Sequence, residues 1–151
     1  DKSAVMDALK ILKNAAKKTG IKPIIFHIGA QAHVGESWKR PYETLNSNVI
    51  GTINILQSIM DLELDIYKLD TAGTSEEYGN IHPEMKKSYR FDKKKGLILD
   101  EVSPLNPQSV YATSKVAADF LTRNYYAAFG IPALSSSSRN ERRPSRGLIS
   151  T

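Results

Sequence analysis

The sequence predicts an α/β fold, a doubly wound parallel sheet with helices on both faces in a three-layer α/β/α arrangement. Two observations predict it: apolar residues alternate between helical spacing and short unbroken runs, and glycine or proline marks each change of period. Over residues 4–18, Val5, Leu9, Leu12 and Ala16 recur at helical spacing with lysines between them, and Gly20 supplies the stop. Ile24-Ile25-Phe26-His27-Ile28, bounded by Pro23 and Gly29, reads as a buried strand of a parallel sheet. A loop through Gly35 and Pro41 follows. Residues 42–62 return to helical period through Leu45, Val49, Ile53, Leu56 and Met60. Residues 66–72 form the next strand, weakened by the polar Asp70 and Thr71. Residues 80–106, rich in Lys, Asp, Pro and Gly, have little period apart from Leu97-Ile98-Leu99 and read as an insertion loop. A helix over 107–129 carries Val110, Ala117, Leu121 and Ala128 toward the sheet, Gly130 ends it, and 131–134 begins a further strand. Residues 1–134 are thus one domain, and the basic, serine-rich stretch 135–151 is expected to be a disordered tail.

At 151 residues, with 40% apolar and 25% charged residues, the chain has enough apolar side chains for one core. It has no cysteine, which excludes disulfides and thiolate metal sites and suits a reducing cytoplasm. No apolar run reaches the length of a membrane span, and no signal peptide opens the chain, so a soluble cytoplasmic protein is expected. The net charge of +5 gathers in Lys86-Lys87, Lys93-Lys94-Lys95 and Arg139, Arg142, Arg143 and Arg146. Those residues are not interleaved with aromatics and match no nucleic-acid motif, so solvated loops and a mobile tail explain them better than nucleic acid does, with an anionic small molecule as the next candidate. His27, His33 and His82 have no metal-ligand spacing, and no metal site is expected.

The chemistry starts from Tyr111-Ala-Thr-Ser-Lys115. A phenol with a free pKa of about 10 is a poor base at neutral pH, and a fixed positive charge close by makes its phenolate accessible. Lysine four residues on along a helix lies on the same face and supplies that charge. In isolation the pair also fits an ordinary solvated helix face. Its company strengthens the chemical reading. Ligands of doubly wound sheets bind at the carboxyl ends of the strands. Gly29 to Gly35 and Thr74 to Gly79 occupy such ends, and Tyr111 follows the last long loop.

His27-Ile-Gly-Ala-Gln-Ala-His-Val34, Asn48-Val-Ile-Gly-Thr52, Thr74-Ser-Glu-Glu-Tyr-Gly79 and the approach through Pro107 to Tyr111 and Lys115 resemble, in order and spacing, the extended short-chain dehydrogenase/reductase family. Within it the sequence is most similar to the epimerase/dehydratase group, and there to nucleotide-sugar 4,6-dehydratases of the GDP-mannose type. The resemblance implies a partial Rossmann-like domain, NAD or NADP as cofactor and a nucleotide-sugar substrate. It implies that Ile28, Gly29, Ala30 and Gln31 run along the dinucleotide, with Ser47 and Asn48 at a second cofactor-side position; the plain alternatives are a tight packing corner and a polar helix residue bonding a loop. It places His33 near substrate or cofactor phosphates, an ordinary hydrogen-bonded histidine being the alternative. In the mechanism so implied, Thr74 bonds the sugar C4 oxygen, Tyr111 takes the C4 hydroxyl proton as hydride leaves C4, Lys115 holds the charge and a ribose hydroxyl, and Glu76 removes the C5 proton. Water then leaves C6 and the hydride returns there.

Ser75 stands where many dehydratases have aspartate and GDP-mannose-type members have serine, and Glu77 replaces a usual apolar residue. The Glu76-Glu77 pair is also similar to reductases of 4-keto-6-deoxy sugars, and epimerases and decarboxylases of the same family remain alternatives. For Glu76 the plain alternative is an N-capping or surface carboxylate. No Gly-x-x-Gly-x-x-Gly turn occurs in the sequence, so the chain reads as an internal piece that begins in the fold's third helix and lacks the substrate domain. Weak cofactor binding by the piece alone is expected, and a non-catalytic remnant retaining the fold is the remaining function class. By the same resemblance a homodimer would form through the two long helices.

Overall fold

The computed structural model describes residues 1–81, 83–94, 96–100 and 102–136. The basic cluster from Arg139 to Arg146 and His82 lie outside them, as does the tail beyond residue 136. Helix α1 (Lys2–Thr19) opens on Asp1, whose side chain accepts the Ser3 N–H, and closes on Gly20 at φ 69°. There the left-handed backbone lets the Gly20 N–H reach the Ala16 carbonyl. Strand β1 (Ile24–His27) follows. The expected loop through Gly35 and Pro41 is instead helix α2 (Val34–Lys39), which His33 caps, and α3 (Pro41–Leu45), which Pro41 starts from its first turn. Proline at a helix start loses only an N–H that has no intrahelical partner, so it marks a beginning here and not a loop.

The helix predicted over 42–62 is built from α3, a wider π-helical turn at Asn46–Ile50 and α4 (Gly51–Asp61). Strand β2 (Lys68–Thr71) comes next, then a 3-10 turn at Ser75–Glu77. Within the stretch read as an insertion loop, a second 3-10 helix (Pro83–Ser88) precedes an antiparallel hairpin of β3 (Arg90–Asp92) and β4 (Gly96–Ile98). Helix α5 (Val110–Phe129) begins three residues later than its apolar pattern suggests, because Ser109 sits extended and its hydroxyl accepts the Ala112 N–H. Strand β5 (Ala133–Ser135) runs one residue past the expected domain end, with Ser135 buried.

The sheet has the parallel order β1-β2-β5. In-register residues Ile25, Leu69 and Ala133, and then His27, Thr71 and Ser135, share one face. Behind it, Leu9 of α1, Leu56 and Ile59 of α4, Leu64, Ile66, Leu69 and Ile131 form the core. Leu56 and Leu69 are fully buried, and truncating either to alanine costs about 2–5 kcal/mol. The alternate face carries Ile24, Phe26 and Leu134, and Phe26 is 65% exposed. Among the described residues β1 borders the sheet and its side chains alternate between exposed and half-buried, which differs from the expectation of a buried first strand. No described helix is long and apolar enough to cross a membrane.

Candidate active site at the carboxyl ends of the strands

Residues 28–33 after β1 and residues 72–79 after β2 leave the parallel sheet on the same side, and the approach to α5 meets the second of them, where the Asn106 N–H donates to the Glu77 carbonyl. Asn48 joins the first to the third. It is 3% exposed, and the wide turn of Asn46–Ile50 carries it on the inner side of the helix. Its Oδ1 accepts the Gln31 N–H at 2.8 Å, while its Nδ2 donates to the Gln31 carbonyl at 3.0 Å and to Ser114 Oγ at 2.8 Å. Ser114 Oγ in turn donates to the Tyr111 carbonyl at 2.6 Å. One amide therefore holds both backbone groups of Gln31 and ties them to the first turn of α5.

A second chain of bonds starts from the same helix. Thr52 Oγ1 donates to the Asn48 carbonyl at 2.7 Å and lies 3.0 Å from His27 Nε2. A hydroxyl has one hydrogen, and Thr52 directs it at Asn48, so His27 is the donor through Nε2–H. Burial lowers the His27 pKa below its ordinary 6.5, and the nearby Lys115 charge lowers it further. His27 is therefore a neutral strut at physiological pH.

Tyr111 and Lys115 are both buried on α5, at 9% and 6% exposure. Burial lowers the Lys115 pKa from 10.5, and the Glu77 carboxylate acts in the opposite direction. Glu77 belongs to the turn after β2, which packs on α5. Thr74 caps that turn: its Oγ1 accepts the Glu76 N–H at 3.3 Å, and its own N–H donates to Glu77 Oε1 at 2.9 Å. The capping carboxylate is thus Glu77, not Glu76, which with Ser75 lies exposed at the rim. The spacing Thr74-x-x-Glu77 is the capping-box pattern and was the available signal.

The turn is fixed from behind by Gly79, at φ 54°. A side chain there would run into the Asn106 carbonyl, and the Asn106 N–H donates to the Glu77 carbonyl at 3.0 Å. The rim carboxylate and the Tyr111 helix are thereby registered against each other.

Of the expected cofactor residues, Gly29, Ala30, Gln31 and Ser47 line one cavity of about 700 Å³, with Asn46, Gly51 and Asn54 on its helical side. Asp1 and Lys2 also line it. Nothing lies within 4 Å of the place a Gly29 side chain would take, and Gln31 Oε1 is buried without a protein partner. Ile28 is 77% exposed, and neither it nor Tyr111 or Lys115 is in that lining. His33 uses Nδ1 to cap α2 by accepting the Glu36 N–H at 3.3 Å. A second cavity of about 710 Å³ lies at the opposite, amino ends of the strands, lined by Lys22, Tyr67 and Pro132 among others, and touches none of the expected residues.

Residues 11–149 match the family model described as GDP-mannose 4,6 dehydratase. Similar proteins include the dTDP-glucose 4,6-dehydratase of Mycolicibacterium smegmatis, 32% identical over 120 residues, which are 80% of this chain and 32% of that protein. Another is the GDP-mannose 4,6-dehydratase of Vibrio cholerae, 33% identical over 124 residues, 82% of this chain and 30% of that protein. Among solved structures, the dTDP-glucose 4,6-dehydratase of Streptomyces venezuelae, with NAD and TYD bound, superposes with a TM-score of 0.67 at 27% identity. The match covers 89% of this chain and 34% of that one. The chain spans about a third of the length of the curated relatives it matches.

Proposed function

Since the chain belongs to the GDP-mannose 4,6-dehydratase family, we propose that the complete protein is a nucleotide-sugar 4,6-dehydratase that works on GDP-mannose with NAD or NADP. The observation that carries this reading is the packing of the Thr74–Glu77 turn against the Tyr111–Lys115 face of α5, at the carboxyl ends of parallel strands. GDP-mannose over dTDP-glucose is supported by Ser75, the residue that GDP-mannose-type members resemble this chain in having.

The dinucleotide would lie along Gly29, Ala30 and Gln31, with Ser47 opposite and Ile28 at the entry. What a bound nicotinamide supplies is a hydride acceptor for sugar C4 and a donor for C6. Tyr111 takes the C4 hydroxyl proton, and the Lys115 ammonium stabilises the negative charge that develops on its oxygen. Thr74 Oγ1 orients the same C4 oxygen. The C4 ketone acidifies the C5 hydrogen, Glu76, at the exposed rim, removes it, and the C6 hydroxyl takes up that proton and departs as water, with Ser75 beside it. His33 lines the substrate side of the first loop. Two copies of the protein associate through the long helices, where Tyr42 is 88%, Leu45 40% and Phe120 48% exposed.

The test is incubation of the protein, expressed from its complete coding sequence, with GDP-mannose and separately with dTDP-glucose. A 4-keto-6-deoxy product from GDP-mannose alone is expected. Product from dTDP-glucose alone overturns the substrate assignment, and product from neither overturns the reaction.

A further inference from the structure

The two proton transfers of the proposed reaction are made by groups on different elements. Tyr111 stands on α5, and Glu76 stands on the 3-10 turn after β2. They must address adjacent carbons of one sugar, and misplacing such a group by about 1 Å can cost about 100-fold in rate.

The turn packs on α5, but packing is a non-directional contact. The bonds from the Thr74 N–H to Glu77 Oε1 and from the Glu76 N–H to Thr74 Oγ1 shape the turn without fixing it to the helix. Asn106, in the approach to α5, supplies the directional tie, and each of its polar groups has a partner. Its N–H donates to the Glu77 carbonyl at 3.0 Å, and its Nδ2 donates to the Asn80 carbonyl at 2.8 Å. Gln108 Nε2 donates to the Asn106 carbonyl at 3.0 Å and to Asn106 Oδ1 at 2.9 Å. The first two bonds grip the rim turn on both sides of Gly79, which has no side chain to push the Asn106 carbonyl away. The other two hold Asn106 to the residues that lead into α5. An asparagine side chain suits this place because it carries a donor and an acceptor together. The bond to Asn80 also closes the neck of the stretch between them, whose β3–β4 hairpin packs chiefly on itself.

We propose that Asn106 is a positioning residue for the dehydration half of the reaction, setting where Glu76 stands relative to Tyr111. This deepens the functional reading above and rests on it for the consequence in catalysis; the clamp itself rests on the four hydrogen bonds. Tyr111 keeps its own place on α5 when the Asn106 side chain is lost, so removal of the C4 hydroxyl proton is little altered. Removal of the C5 proton by Glu76, with departure of the C6 hydroxyl as water, is the step that slows.

Amide hydrogen exchange of the 151-residue chain, followed by NMR, tests the clamp. In Asn106→Ala, exchange at the bonded amides of Thr74, Glu76, Glu77 and Tyr78 is expected to quicken by about fivefold, with β2 and the later turns of α5 unchanged. Unaltered exchange at the turn overturns the proposal. An equal rise throughout the chain is a loss of stability alone and overturns it as well. If that variant does not fold by circular dichroism, Gln108→Ala, at an exposed side chain, is measured with the same outcomes. In the complete protein, the nucleotide sugar it turns over is supplied deuterated at C5 and, separately, at C4. Asn106→Ala is expected to lower kcat by about tenfold, to raise the C5 isotope effect and to reduce the C4 effect. A lower kcat with both isotope effects unchanged marks a purely structural role and overturns the proposal. Quickened exchange at the turn, together with no turnover of any nucleotide sugar by the unaltered complete protein, leaves the clamp standing and removes the functional reading instead.

Discussion

Tyr111 is the residue on which the proposed chemistry turns, and replacing it with phenylalanine removes the base while leaving its buried ring. Turnover of the complete protein is expected to fall by about 10²–10⁴-fold with an unchanged melting temperature. Unchanged turnover removes Tyr111 from the mechanism. His27 gives a prediction that needs no substrate. Its folded-state pKa is lowered from 6.5, so between that lowered value and about 6.5 the unfolded chain binds more protons than the folded one. Stability is therefore lost as pH falls below about 6.5, and His27→Gln removes that part of the loss. Urea midpoints at pH 7 and pH 5 measure it, and equal drops in both proteins contradict the assignment. At this scale the placing of Tyr111 and Lys115 on one buried stretch of α5 was legible in their spacing, whereas the roles of Thr74 and Glu76 came from the family resemblance alone. Glu77 and His27 were not read as part of the site, because their meaning depends on which neighbours burial gives them across the fold.

Between elements, Asn48 is the joint. Asn48→Ala strips partners from both backbone groups of Gln31 and from Ser114. The expected cost is on the order of 3 kcal/mol, read as a lower denaturant midpoint. Asn48→Asp keeps only the acceptor for the Gln31 N–H and lies between the two. A midpoint unchanged in Asn48→Ala shows that the bridge carries no stability. The apolar period marked the long helices and the parallel strands but neither α2 nor the wide turn at Asn46–Ile50, since one additional residue in a helical turn leaves the stripe Leu45, Val49, Ile53 nearly intact. Capping was the other hidden layer. His33 starting α2 and Ser109 delaying α5 are local hydrogen bonds that hydrophobic spacing does not register. The hairpin of β3 and β4 was hidden because each strand has only three residues.

For the whole molecule, the exposed aromatic and aliphatic side chains of α3 and α5 predict a dimer in the complete protein, and Tyr42→Glu is expected to shift its sedimentation toward monomer. An unaltered oligomeric state contradicts that interface. The isolated 151 residues are expected to give no saturable rise in nicotinamide fluorescence with NADH or NADPH, because the sequence contains no glycine-rich pyrophosphate turn. Tight binding contradicts this. The proposed reaction oxidises C4 beside Tyr111 and delivers the same hydride to C6. GDP-mannose deuterated at C4, turned over by the complete protein and analysed by mass spectrometry and NMR, follows that transfer. Deuterium at C6 of a 4-keto-6-deoxy product is expected; deuterium retained at C4, or lost to solvent, rules the transfer out.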